Sequence, residues 1–166
     1  MRIGVAAART TGMSESTLPQ PDPALKRRDP FVGRWSMEGH LLGSEETTIR
    51  GETAFRWLPG GFFLEQHLHM NFIGLEIDSL ELIGYDPETN TFPSTVFSNL
   101  SPSPLPYRWD VQGDAVTISV SYGLLDATFT GSWRENGTFS GGWCPNPGAD
   151  ESVNVPYDIG GRHLGA

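Results

Sequence analysis

The sequence predicts an all-β fold, a single antiparallel up-and-down barrel of about ten strands with a short helical plug at its N-terminal end. Two observations support this fold class. Apolar and polar residues alternate with a period of two along most of the chain after residue 31, and short segments rich in Gly, Pro and Asn recur between the alternating stretches. A chain of 166 residues also has the length of one domain.

The N-terminal region predicts an extension followed by a short helix. Residues 1–20 show no periodicity and are rich in Ser, Thr and Ala, so we expect a disordered extension ahead of a barrel domain over residues 21–166. Asp22 can accept hydrogen bonds from the free amides of a first helical turn, and Pro23 suits the first helical position. We therefore predict one or two helical turns over 22–28, leading directly into the first strand.

Ten strands are predicted after this helix, at residues 32–41, 47–57, 62–72, 77–85, 91–99, 105–111, 115–121, 126–134, 138–144 and 155–163. In the third strand, apolar Leu68 and Met70 alternate with His67 and His69, which places both histidines on the outer face. The fourth strand is ambiguous because apolar residues occupy both even and odd positions. We expect Glu81 of this strand to point outward, and only an inward orientation would raise its pKa and make it a general acid–base candidate.

The connections predict how the strands pair. Tight polar turns are expected at 59–61, 86–90, 112–114 and 135–137, because Gly and Asn accept positive φ and Pro presets φ at a corner. With no helix between strands, consecutive strands pair antiparallel. Closure of ten twisted strands into a barrel removes the exposed edges, while a two-sheet sandwich is the alternative.

The charge distribution excludes two classes of partner. The chain has 11 basic and 20 acidic residues, and the part from Phe31 onward has 6 basic and 17 acidic residues, which gives that part a net charge of −11. Such a surface repels phosphate backbones and anionic membranes, so we expect neither nucleic acid nor a membrane as a partner. Cys144 is the sole cysteine, which excludes an intrachain disulfide and predicts a reducing, cytoplasmic location.

The candidate ligand site comprises inner positions near the barrel end opposite the helix, where the longer and more apolar connections lie. Aromatic and methionine side chains form adaptable apolar walls, and a glutamine amide or tyrosine hydroxyl can orient the polar end of a ligand. The candidate ligand-binding residues are Met37, Gln66, Leu68, Met70, Val96, Tyr107, Val120, Trp143 and Tyr157. The alternatives are that these side chains fill a solid core, or that the connections cover their own end or form a dimer contact.

Two functions fit this site. The first is binding or carriage of a small lipophilic molecule in a cavity of roughly 300–1,000 Å³ that opens at Leu42–Glu46. The second is a cyclase or isomerase acting on a polyketide-like or terpenoid-like substrate, since holding a flexible substrate in a reactive shape needs few charged groups. The sequence contains no nucleophile-elbow, phosphate-binding or metal-ligand motif. We also expect a homodimer formed through apolar contacts.

One stretch of sequence resembles a known group of barrels. The first strand opens with Phe31-Val32-Gly33-Arg34-Trp35, which is similar to the F-x-G-x-W opening of calycins. Together with Leu58–Gln66 and Ile83–Glu88, it resembles a bacterial calycin-like family of unknown function, related in shape to nitrobindins, over roughly residues 20–163. The resemblance implies that Trp35 closes one barrel end and packs against an arginine of the last strand, for which Arg162 is the matching residue.

The same resemblance raises a haem hypothesis. Nitrobindins bind haem through a C-terminal histidine, and His163 lies near the C-terminus of this chain. Nitrobindins also have a glycine-rich first strand that admits the flat macrocycle, whereas residues 35–40 lack repeated glycines. A haem cofactor is therefore not favoured, and no cofactor is expected.

Overall fold

The computed structural model describes residues 18–166, so the extension predicted over residues 1–20 lies almost entirely outside the described residues. A 3-10 helix spans Pro23–Phe31. Ten strands follow: β1 Gly33–Leu41, β2 Ile49–Trp57, β3 Leu64–Phe72, β4 Leu75–Ile83, β5 Phe92–Ser98, β6 Leu105–Gln112, β7 Ala115–Tyr122, β8 Leu125–Arg134, β9 Thr138–Pro145 and β10 Tyr157–Gly165. The predicted strand count and N-terminal helix are confirmed. No helix among residues 18–166 is long and apolar enough to cross a membrane.

The strands close into one antiparallel barrel. Each strand pairs with its neighbours in sequence, and β10 pairs with β1 to complete the circle. Met37 of β1, for example, lies opposite Gly51 of β2 on one side and opposite Gly161 of β10 on the other. Closure gives every strand a hydrogen-bonded partner on both edges. The predicted barrel is confirmed, and the sandwich alternative is excluded.

The fourth strand differs from its prediction in position and in one side chain. β4 begins and ends two residues earlier than predicted, because Ile73 and Gly74 alone connect it to β3. Glu81 of β4 lies opposite Gln66 of β3 and is buried inside the barrel. The expectation that Glu81 points outward is therefore wrong. The pairing with β3 determines which side chains of β4 point inward. The sequence of β4 alone could not, because apolar residues occupy both its even and its odd positions.

The helix closes the barrel end at which β1 begins. Its start is capped by Asp22, whose Oδ1 accepts a hydrogen bond from the amide of Ala24 at 2.8 Å. Leu25, Arg28 and Phe31 of the helix are buried. The ring centroid of Phe31 lies 4.8 Å from that of Trp133 of β8 and 5.8 Å from that of Phe55 of β2. This end of the interior, the plugged end, is therefore filled by side chains.

Trp35 is buried at the plugged end, as predicted, with 1% of its surface exposed. Its Nε1 donates to the carbonyl of Phe31 at 2.7 Å, which ties β1 to the helix. The side chain of the last strand that packs against it is His163, with ring centroids 4.9 Å apart. The prediction of Arg162 is wrong, because Arg162 is paired with Ser36 and faces solvent. Because side chains alternate along β10, the next residue, His163, faces Trp35.

Gly33 allows this close contact. Its φ is +118°, and a Cβ atom there would lie 2.2 Å from Nε2 of His163 and 2.8 Å from the carbonyl oxygen of Gly165. Both the backbone conformation and the approach of β10 require the absence of a side chain.

Candidate functional site

The half of the barrel interior farther from the helix, here called the open half, is lined by side chains that point inward without being fully buried. They pack against the core yet keep accessible surface: Leu68, Phe72, Ile77, Tyr107, Trp143 and Tyr157. At the plugged end, by contrast, Trp35 and Trp109 are 1% and 2% exposed. Protein cores are normally close-packed, so this difference indicates accessible space in the open half.

All nine predicted ligand-binding residues point into the barrel. Met37, Met70, Val96 and Val120 are buried, whereas Gln66, Leu68, Tyr107, Trp143 and Tyr157 are half-buried. Some of them meet across the barrel, since the rings of Tyr107 on β6 and Trp143 on β9 lie 6.1 Å apart. Their role in binding stays a prediction.

Sequence reasoning missed two residues that line the same space. The ring centroid of Phe72 lies 5.0 Å from that of Tyr157. The alternation of apolar and polar residues along β3 was sufficient to predict that Phe72 points inward. Ile77 lies in β4, where the pattern was ambiguous, so only the pairing with β3 shows that it points inward.

Two tyrosine hydroxyl groups lie in the open half. Burial raises the pKa of Tyr107 to about 12, and the charge of Glu81 adds to this rise. Burial also raises the pKa of Tyr157, with a smaller effect from Tyr107. Both side chains nevertheless keep accessible surface. The raised pKa values and the remaining accessible surface are consistent with rings whose accessible side faces the barrel interior. At neutral pH both phenols stay protonated and can donate a hydrogen bond.

Glu81 is a carboxyl group buried in the barrel wall. Its Oε1 accepts hydrogen bonds from Oγ of Ser94 at 2.6 Å and from Nε1 of Trp109 at 2.8 Å. Desolvation raises its pKa, while these two hydrogen bonds and the positive charge of Arg28 act in the opposite direction. A buried carboxyl group with a raised pKa is a candidate for proton transfer.

Arg28 brings a positive charge from the helix into the barrel. Its guanidinium carbon lies 4.2 Å from the ring centroid of Trp109, 4.6 Å from that of Phe31 and 5.3 Å from that of Phe92. None of its guanidinium nitrogens has a hydrogen-bond partner within residues 18–166. Burial lowers its pKa to about 9, and the charge of Glu81 opposes this shift. Arg28 therefore stays charged at neutral pH, stabilised by aromatic faces and by Glu81.

Exposed apolar side chains surround the open end of the barrel. Every connection at this end, or the strand end beside it, contributes at least one of them: Leu42, Ile73, Leu75, Leu100, Tyr122, Leu124 and Val153. We call this set the apolar rim. Apolar side chains gathered at the mouth of a barrel are typical of an entry or docking surface.

Ile73 in the apolar rim has a backbone conformation that its side chain disfavours. Its φ is +52°, in the left-handed region where Gly and Asn are preferred and where a β-branched residue costs about 1–2 kcal/mol. Turn formation alone does not account for isoleucine at this position. Its side chain, 49% exposed, adds apolar surface to the rim.

The surroundings of His163 do not fit a haem ligand. Its Nε2 lies 3.0 Å from the carbonyl oxygen of Val32, and its Nδ1 accepts from the amide of Gly165 at 3.3 Å. The ring itself packs edge-on against Trp35 at the plugged end. Both ring nitrogens are therefore engaged by the backbone, at the plugged end and not in the open half.

Two grooves lie on the outer face of the barrel. One, of about 560 Å³, crosses β1 to β5, and its lining includes His67, Leu68 and His69; the other, of about 450 Å³, lies over β1, β8, β9 and β10. The outward position of both histidines is confirmed. His69 Nδ1 lies 2.7 Å from Oδ1 of Asp78. Within residues 18–166, no cluster of His, Cys, Asp or Glu side chains has the arrangement of a metal site.

Comparison with known families gives one match. The family described as "Protein of unknown function (DUF1579)" matches residues 24–139, from the N-terminal helix to the start of β9. The matched segment contains Arg28, Glu81 and Tyr107, whereas Trp143 and Tyr157 lie beyond it. The curated proteins include no match to this chain.

Proposed function

The chain belongs to the DUF1579 family of proteins of unknown function, and we propose that it binds a small, largely apolar molecule in the open half of its barrel. The observation that carries the proposal is the set of inward apolar and aromatic side chains that remain accessible there. Small-molecule sites have this composition, with a few polar groups that fix the ligand's orientation. The apolar rim supplies an entry path of matching polarity.

We further infer a calycin-type carrier that works in the cytoplasm as a homodimer. The resemblance of the first strand to calycins supports the carrier role, and the lone cysteine supports the location. We assign the contact with a second copy to the outer face because half-buried Leu80 of β4 is paired there with Phe97 of β5, which is 45% exposed. An apolar contact of this kind avoids the repulsion between two acidic barrels.

Filling the open half should abolish binding. Leu68→Trp places a larger ring among the accessible inward side chains, so we expect the affinity for the neutral fluorophore Nile red to fall roughly tenfold or more, because the ligand and the new ring compete for the same space. Leu80→Trp, on the outer face of the neighbouring strand, is the matched control and should leave the affinity unchanged. Fluorescence titration measures both.

Equal affinity of the Leu68→Trp variant and the unmodified protein would contradict the interior site. Loss of binding in the Leu80→Trp variant alone would move the site to the outer groove that this residue lines.

A second candidate function is a cyclase or isomerase acting in the open half. The specific observation that favours it is the inward, buried Glu81 with its raised pKa, which accepts from Ser94 at 2.6 Å, the residue opposite Tyr107 on β6. A carboxyl group and a phenol at neighbouring positions can move a proton on and off a bound polyketide-like or terpenoid-like substrate.

The enzyme hypothesis has a direct test. Glu81→Gln should reduce turnover of such a substrate by roughly 100-fold or more, because it removes the proton-transferring group and keeps the hydrogen-bonding shape. Retained Nile red affinity in the same variant separates lost chemistry from lost binding. Undiminished turnover would exclude Glu81 from the reaction.

A further inference from the structure

We propose that the ligand of this barrel is an uncharged molecule with a carbonyl or hydroxyl group, and that the site discriminates against free carboxylates. This inference rests on the proposed function and names the ligand class for the same site. It follows from the chemistry of the interior wall, from the enclosure of the interior cation and from the charge at the open end.

The interior wall carries one carboxyl group and two phenols. Ser94 donates to Glu81 at 2.6 Å and lies opposite Tyr107 in the pairing of β5 with β6. The ring of Tyr107 lies 6.1 Å from that of Trp143, which is paired with Tyr157, so the three groups belong to one part of the wall. A carboxylate placed beside them would share a dry site with a second carboxyl group and would lose its hydration without gaining a counter-charge.

The cation inside the barrel does not offer that counter-charge. Arg28 has no exposed surface, and the faces of Phe31, Phe92 and Trp109 enclose its guanidinium group. Trp109 also donates to Glu81, so this indole lies between the two charges. The charge of Arg28 is compensated within the protein, and no face of its guanidinium group is open to a ligand.

The open end also disfavours an anion. The connections over residues 42–48 and 146–156 contain Glu45, Glu46, Asp150 and Glu151, and none of the five connections at this end contains a lysine or an arginine. A carboxylate ligand therefore approaches a mouth of its own sign, which slows its entry, whereas an uncharged molecule meets only the apolar rim.

The two phenols supply what an uncharged polar ligand needs. Tyr107 and Tyr157 are protonated at neutral pH and half-buried in the open half. A phenol donates well to a carbonyl or hydroxyl oxygen. A pure hydrocarbon that displaced water from these hydroxyls would leave them without a partner, so a ligand that accepts from them is preferred.

Displacement of Nile red by decanol and decanoate, two competitors with the same chain, tests the ligand class. Near neutral pH, we expect decanol to compete at a concentration roughly tenfold or more below that of decanoate. Decanoate that competes as well as decanol, or better, overturns the inference while leaving the proposed function in place. Failure of Nile red and both competitors to bind overturns the proposed function itself.

Variants separate recognition from simple partitioning. The double variant Tyr107→Phe and Tyr157→Phe should weaken decanol about three- to tenfold, the effect of a lost hydrogen bond, whereas Tyr85→Phe outside the site is the matched control and should not. Glu81→Gln should shift the preference toward decanoate several-fold, since it removes the carboxyl group that disfavours a second carboxylate beside it. Unchanged decanol affinity in the double tyrosine variant would overturn the assigned recognition even if Glu81→Gln does not fold.

Discussion

Replacement of Trp35 by alanine is expected to lower the free energy of unfolding by about 3–5 kcal/mol, a large share of the stability of a small domain. The ring is 1% exposed and packs against Phe139 and Trp133, with centroids 5.8 Å and 6.0 Å away. The substitution also removes the donor to the carbonyl of Phe31, which joins the first strand to the helix. Urea unfolding followed by intrinsic fluorescence or circular dichroism measures the loss.

Trp143→Ala is the matched control, because it removes the same ring from the open half. Trp143 is half-buried, so its loss should destabilise the barrel less while weakening Nile red binding more. Trp35→Ala should thus mainly lower the stability, and Trp143→Ala should mainly lower the affinity for Nile red. A Trp35→Ala variant that melts like the unmodified protein but no longer binds Nile red would move the ligand site to the plugged end.

Removal of either member of the buried pair Arg28 and Glu81 should be nearly as costly. Arg28→Met removes the positive charge that opposes the rise in the pKa of Glu81, and Glu81→Gln removes the carboxyl group that raises the pKa of the buried Arg28. Each change is expected to cost about 3–5 kcal/mol of stability. In the double variant, the loss in the free energy of unfolding should be about 1–3 kcal/mol smaller than the sum of the two single losses, because neither buried group is left without its partner. Strict additivity would show that the two charges do not interact.

The same pair predicts a pH dependence of stability. Because burial raises the pKa of Glu81 above its ordinary value of 4.5, the folded protein binds this proton more tightly than the unfolded chain. The resulting stabilisation is complete below 4.5 and is lost as the pH rises through the raised pKa. Subtracting the pH–stability curve of Glu81→Gln from that of the unmodified protein should isolate this decline. A difference that is flat above 4.5 would contradict the raised pKa.

The fold and the inward positions of the candidate site were predictable because the relevant signals are local. Alternation of side chains along a strand depends only on consecutive residues, so Met37 and Tyr107 could be placed inside without knowledge of any partner strand. Turn chemistry is equally local, and Gly137, with its φ of +76°, adopts the conformation that its hairpin requires. The number of strands and the antiparallel order of consecutive strands follow from these signals together.

The buried charges and the contacts of Trp35 depended on the tertiary structure. The register with β3, a contact between separate segments, turns Glu81 inward where the pattern of β4 alone was ambiguous. Arg28 has the sequence signature of a basic helix end, and its burial depends on Glu81 of β4 and on rings from β5 and β6 that only the folded chain brings to it. His163 meets Trp35 because closure brings β10 beside β1. Interactions between distant segments of the chain arise from register and closure, which no local pattern encodes.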